Sequence, residues 1–185
     1  MRRRVALHLL PLALGACVQS VNPLYTDATL VSLPDLVGTW VGSGDVLVVT
    51  APDSLTYRLA MMDEQGEASL WIGHVTSLGG RNWLDVVPDE LPDDWGDAYR
   101  ASFMPLHQFW ALQRVDSVLL GAAIVYDSLK AALERDPSTV LHAEVGDGFV
   151  LTAATTALRA FVETAARRPG WLKDGDRMRR VSRFR

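Results

Sequence analysis

The sequence predicts a mainly β fold with two helices, an antiparallel meander forming a barrel or a strongly rolled sheet. Two observations predict the strands and a third the helices. Short apolar runs follow one another with turn chemistry between them: Gly44-Asp45, Pro52-Asp53, 63–66, Gly79-Gly80, Asp116-Ser117 and Asp147-Gly148. Leu55, Tyr57, Leu59 and Met61 alternate with Thr56 and Arg58, the period of a strand with one face in water. Near the end of the chain, Leu158, Phe161, Val162 and Ala165 fall at i, i+3, i+4, i+7, the stripe of a helix packed on one side.

In chain order the predicted strands are 39–42, 46–51, 55–62, 68–78, 83–87, 103–115, 118–125, 140–145 and 149–152. Closing such a series into a ring removes exposed strand edges, which favours a barrel. Asp147-Gly148 between apolar runs is the best hairpin signal of the set. Asp127 reads as the N-cap of a helix over 128–135 that Asp136-Pro137 stops. A second helix runs over 156–168 and ends at Pro169-Gly170. Pro34 suits the first position of a single helical turn over 33–37. The acidic stretch 89–97 around Trp95 reads as a turn or a single helical coil over one barrel mouth.

The start of the chain has a different character. Arg2, Arg3 and Arg4 precede an apolar stretch, 5–14, too short for the roughly 20 residues that cross a bilayer. It ends in Leu14-Gly15-Ala16-Cys17, which contains the sole cysteine of the chain. These four residues resemble the lipobox of bacterial lipoproteins. The resemblance implies cleavage before Cys17, acylation of that residue, and a membrane partner reached through its acyl chains (palmitate among them). Each buried methylene contributes about 0.8 kcal/mol, so several chains hold a domain to the membrane permanently. Val18 at the next position leans, by the sorting pattern of such lipoproteins, toward the outer membrane; the expected location is the cell membrane or outer membrane, facing the periplasm. The run from Cys17 to Thr26 is also similar to the opening of a group of small, uncharacterised bacterial lipoproteins with no assigned activity.

On this reading residues 1–16 are a signal peptide, 17–32 a lipidated tether, 33–172 one β-rich domain, and 173–185 a basic, disordered tail. Leu24 and Tyr25 are expected to touch the domain. The tail and its approach carry Arg167, Arg168, Lys173, Arg177, Arg179, Arg180, Arg183 and Arg185 against Asp174 and Asp176, while the body before it is strongly acidic. An acidic body repels phosphates, which argues against nucleic acid as a partner. The tail is a candidate contact for anionic lipid. A solvated, frayed end is the simpler expectation.

Gly38-Thr39-Trp40, after the 33–37 turn, resembles the first strand of lipocalin-type calycin barrels. That resemblance implies a calycin-like barrel whose closed end Trp40 plugs, with a late helix against its wall. It also suggests a small apolar ligand inside. The expected pocket residues are His107, Tyr57, Trp40 and Phe109. Large aromatics, Trp71, Trp83 and Trp110 included, first fill a core.

No residue is assigned a catalytic role. His107 shares a predicted strand face with Phe103, Pro105 and Phe109, and as a core or rim histidine it is expected to bond a backbone carbonyl. Asp85 is the acid/base candidate that would orient His107 if their strands pair, although a solvent-facing aspartate near a strand end is the simpler expectation. His74, His107 and His142 lie on different strands and lack a zinc-ligand spacing, so neither metal nor cofactor is expected. There is no Gly-x-Ser-x-Gly, no phosphate-binding glycine loop and no calcium-loop spacing in 89–97. The leading expectation is a non-enzymatic, membrane-anchored binding domain. The alternative is an envelope interaction protein with a solid barrel core, and the third reading a hydrolase-like enzyme using His107 and Asp85.

Overall fold

A computed structural model describes residues 18–89 and 103–181. Residues 1–17, the expected signal segment and Cys17 among them, and Trp95 with all of the acidic stretch except Asp89 lie outside the described residues.

Eleven strands and two helices are present among the described residues. In order they are β1 (Gln19–Ser20), β2 (Gly38–Val41), β3 (Val46–Thr50), β4 (Thr56–Met62), β5 (Ala68–Leu78), β6 (Arg81–Pro88), β7 (His107–Val115) and β8 (Val118–Ile124). Then come α1 (Tyr126–Arg135), β9 (His142–Val145), β10 (Gly148–Leu151), α2 (Thr155–Ala166) and β11 (Leu172–Arg180). Strands β2 to β8 form an antiparallel meander. β11 then pairs with both β8 and β2, and β6 with β7, so eight strands close into a calycin-like barrel. At the β5–β6 turn, Gly79 and Gly80 take φ of 60° and 74°, which a two-residue hairpin requires and other residues resist.

Strand alternation gives the barrel two apolar faces. Inward residues, among them Trp40, Leu47, Val49, Tyr57, Leu59, Val75, Leu84 and Val86, form one core. The outer face of β6, β7 and β8 supplies Trp83, Phe109, Ala111, Ala122 and Ile124 to a second. The helices close over that second core with Leu129, Leu133, Leu158 and Val162. The i, i+3, i+4 stripe of 158–165 therefore packs on the outer wall of the barrel, as a late helix was expected to do.

Four expectations about the chain's course are corrected. Residues 18–32 are not a tether: β1 pairs with β7 and runs parallel to β10, and Val18, Ser20 and Leu24 are buried. Val18 and Leu24 supply the apolar anchors that hold this stretch to the outer core. Nor is the chain disordered from 173 to 180. A polar strand still satisfies its backbone when flanked by two partners, and β11 gains one inward apolar residue, Met178, to set its register. The strand expected over 103–115 begins only at His107, because Pro105 has no donor for a ladder. Finally, α1 starts at Tyr126, with Asp127 in its first turn rather than at the cap.

One end of the barrel is shut. The 3-10 turn Pro34–Leu36 lies across it, and Trp40 Nε1 donates to Leu36 O at 2.9 Å. Leu33 N donates to Tyr57 Oη at 2.6 Å. The Arg180 guanidinium stacks over the Trp40 ring at 5.5 Å and donates to Val37 O, tying β11 to β2 and the residue before it.

Candidate functional site

Among the described residues, the opposite end of the barrel is not filled by side chains. A cavity of about 830 Å³ enters there, within the ~300–1,000 Å³ range of small-molecule sites. Its walls are inward residues of the barrel: Leu47, Leu84, Trp110, Leu112, Leu119 and Met178. Two features of the wall leave this space. Gly121 has no side chain, so the Trp110 indole lies against bare backbone; a Cβ placed on Gly121 would sit 3.6 Å from Trp110 Cβ. Opposite it, β11 carries one extra residue between Asp174 and Arg177, a bulge that bends the strand and re-aims its side chains. Gly175 in that bulge packs so closely that its Cβ would meet Gly121 O at 3.0 Å. Asp45, Asp127 and Lys173 stand beside the cavity, while Asp174, paired with Ala122, lies on the outer face of β11.

The expected pocket set divides between two places. Trp40 and Tyr57 do face the barrel interior, but both are fully buried in the plug at the closed end rather than lining the cavity. His107 and Phe109 belong to the outer wall of the barrel, because β7 sends alternate residues to opposite faces and Trp110 is the one that points in. Sequence periodicity cannot tell inward from outward on a strand apolar on both faces.

His107 and Asp85 do meet. Asp85 pairs with Phe109 in register, which places His107 on its diagonal on the same face. Nδ1 of His107 lies 2.6 Å from Asp85 Oδ1. Asp85 is not solvent-facing but 1% exposed, and His107 bonds this carboxylate rather than a backbone carbonyl. The other oxygen, Oδ2, accepts the Leu24 amide at 2.6 Å. A buried carboxylate needs partners at both oxygens, and the incoming N-terminal segment supplies the second.

That segment is fastened from the other side by Arg159 of α2. Its Nη1 donates to Leu24 O at 2.6 Å and to Thr76 Oγ1 at 3.0 Å, and its Nη2 to Ser77 O at 2.9 Å. Tyr25 covers the pair, its ring 4.6 Å from that of His74 and 6.3 Å from that of His107. Burial, and secondarily the charges of Asp85 and Asp27, push the Tyr25 phenol above its ordinary pKa. His74 turns its Nδ1 to Leu55 O at 3.0 Å, and His142 lies on β9, bonded to Val140 O. No three potential ligands converge on a metal position among the described residues. The His107–Asp85 pair joins N-terminal segment to barrel wall on the outside, away from the cavity.

Sequence reasoning missed Arg159, whose one visible signal is its place beside buried Leu158 on a striped helix. It also missed Gly121 and Gly175, whose role depends on which strands the barrel brings together.

By fold and site the chain belongs to the small closed antiparallel barrels with an apolar cavity opening at one mouth. No family model, curated protein or solved structure matches it.

Proposed function

We propose that this chain is a lipid-anchored cell-envelope protein, facing the periplasm, whose barrel binds a small apolar ligand without transforming it. The carrying observation is the apolar cavity of about 830 Å³ at the open end of a barrel otherwise filled by its own side chains. The anchoring half of the proposal rests on Arg2–Arg4, the short apolar stretch and the Leu14-Gly15-Ala16-Cys17 box. Contact with anionic lipid by the basic end of the chain is part of the same proposal, with Arg177 and Arg179 exposed on β11 as its cations.

The ligand half is tested with a neutral apolar fluorophore, N-phenyl-1-naphthylamine, whose emission rises on leaving water. The protein should brighten it saturably, and Gly121→Leu should abolish the effect by filling the space beside Trp110 while thermal unfolding stays cooperative. An unfilled Gly121→Leu signal equal to wild type would place the dye elsewhere and refute the reading. The anchoring half is tested by Cys17→Ser, which should move the protein from the membrane to the soluble envelope fraction or stall its maturation. A variant that still sediments with membranes at mature size would overturn it.

A second reading, docking to an envelope protein, draws on Val41, Val48, Met62 and Leu70. All four are exposed, and they share the outer face of β2 to β5, opposite the helices. It gains ground if the cavity binds nothing.

A further inference from the structure

We propose that β9 pairs edge to edge with β9 of a second copy of this chain, antiparallel and in a register centred on Ala143. Among the described residues β9 is the one strand with a neighbour on a single side; every other strand lies between two. Closure removes the edges of the barrel, while the β9–β10 hairpin, joined to β7 through β1, keeps one. A free edge shows main-chain donors and acceptors in a row, so the partner it fits is another extended backbone. The devices that blunt such an edge are missing from 141–145, which has no lysine, no proline and no bulge.

The hairpin register decides which main-chain groups face outward. Val145 pairs with Gly148 across the two-residue turn, and Leu141 O accepts the Thr152 amide at 2.9 Å. Residues 141, 143 and 145 therefore turn their main-chain groups toward β10, and those of His142 and Glu144 point to the free edge.

The side chains along this edge are their own complement. Leu141 and Val145, 66% and 59% exposed, are the two most exposed large apolar side chains among the described residues. With Ala143 of the two copies opposed on a two-fold axis, Leu141 of each meets Val145 of the other, and His142 meets Glu144. Apolar side chains face each other, imidazole faces carboxylate, and the residues with outward main-chain groups exchange their hydrogen bonds. The neighbouring registers that also oppose outward groups put Glu144 against Glu144 or His142 against His142, which disfavours them.

A groove of about 430 Å³ between the hairpin and α1 leaves room for incoming side chains on the His142 face. Its charges are mixed: Glu134 and Asp147 oppose an incoming Glu144, and Lys130 favours it. His142, directly opposite, is the group that register brings nearest. One short strand from each copy makes a small contact, below about 1,200 Å², so the association is weak in dilute solution.

The test uses the full chain carrying Cys17→Ser, which changes none of the described residues. In sedimentation equilibrium the average mass should rise toward that of a dimer between about 10 µM and about 1 mM. Leu141→Lys/Val145→Lys changes sites already exposed in the monomer and opposes lysine to lysine; it should hold the chain monomeric with Tm unchanged. Leu141→Lys/Val145→Glu opposes lysine to glutamate in this register and should restore the dimer. Ala143→Cys, then carrying the sole thiol, should be cross-linked by diamide about tenfold faster than Thr50→Cys on β3. The His142 and Glu144 amides should exchange fast in dilute protein and slowly in concentrated protein. A mass that stays monomeric throughout would overturn the proposal, as would a dimer that survives Leu141→Lys/Val145→Lys. Protection of those two amides already in dilute protein would also overturn it, since another part of the same chain would then occupy the edge.

Discussion

Asp85 and His107 lie 2.6 Å apart on the outer wall of the barrel, and the second oxygen of the same carboxylate holds the amide of Leu24. One buried acid thus ties two barrel strands to a segment sixty-one residues earlier in the chain. Breaking that arrangement from the His107 side leaves a carboxylate in a dry site with a single donor. His107→Leu should cost about 3 kcal/mol in denaturant unfolding. Asp85→Asn keeps an acceptor for Leu24 and should cost less, and the pair should show coupling in a double-mutant cycle. Additive losses would mean that the two side chains do not act as a unit.

Arg159 bridges α2 to Leu24, Thr76 and Ser77, and it is the clamp on the opposite side of the same segment. Arg159→Met preserves the aliphatic stem and removes every donor. Amide exchange of Leu24 to Val31 should accelerate, with the exchange of β3 and β4, which Arg159 does not touch, unchanged. Uniform acceleration across the barrel would assign Arg159 a global role instead.

Closure of the barrel depends on β11, which separates β8 from β2. Ending the chain at Trp171 leaves two barrel strands with unpaired edges and uncovers Trp40 from Arg180. The expected product is aggregation-prone and lacks a cooperative thermal transition. Removing only residues 182–185 should leave Tm where it was.

Tyr25 gives a pH dependence whose sign is fixed. Its folded pKa is raised above 10.0, so the unfolded chain releases the phenolic proton first. The contribution is fully present below that value and is lost as pH rises through the folded pKa. Between those two points the wild type should lose stability relative to Tyr25→Phe, and the tyrosinate absorbance assigned to residue 25 should appear late in the titration. An ordinary midpoint for that absorbance would contradict its burial beside Asp85.

Much of the barrel could be read from the chain because its signals are local. The strand expected over 68–78 is β5 residue for residue, and the turns at Gly79-Gly80 and Asp116-Ser117 lie between paired strands, since a turn's backbone demands are written in the residues that make it. The cavity was less legible. Trp110 stood out only as one large aromatic among several, and Gly121 and Gly175 read as unremarkable glycines, because their meaning comes from the register of β8 against β11.

Periodicity and turn chemistry by themselves determined that this chain forms an antiparallel meander with a helix laid on it. Three things were decided only by tertiary structure. The polar stretch 172–180 became the strand that closes the ring, the segment from Val18 to Leu24 became part of the core, and Asp85 found His107 across a strand pair. The physical reason is common to all three. Pairing of backbone edges and burial of a charge depend on partners distant in sequence, and a single chain read in order displays the demand for a partner without displaying which residue meets it.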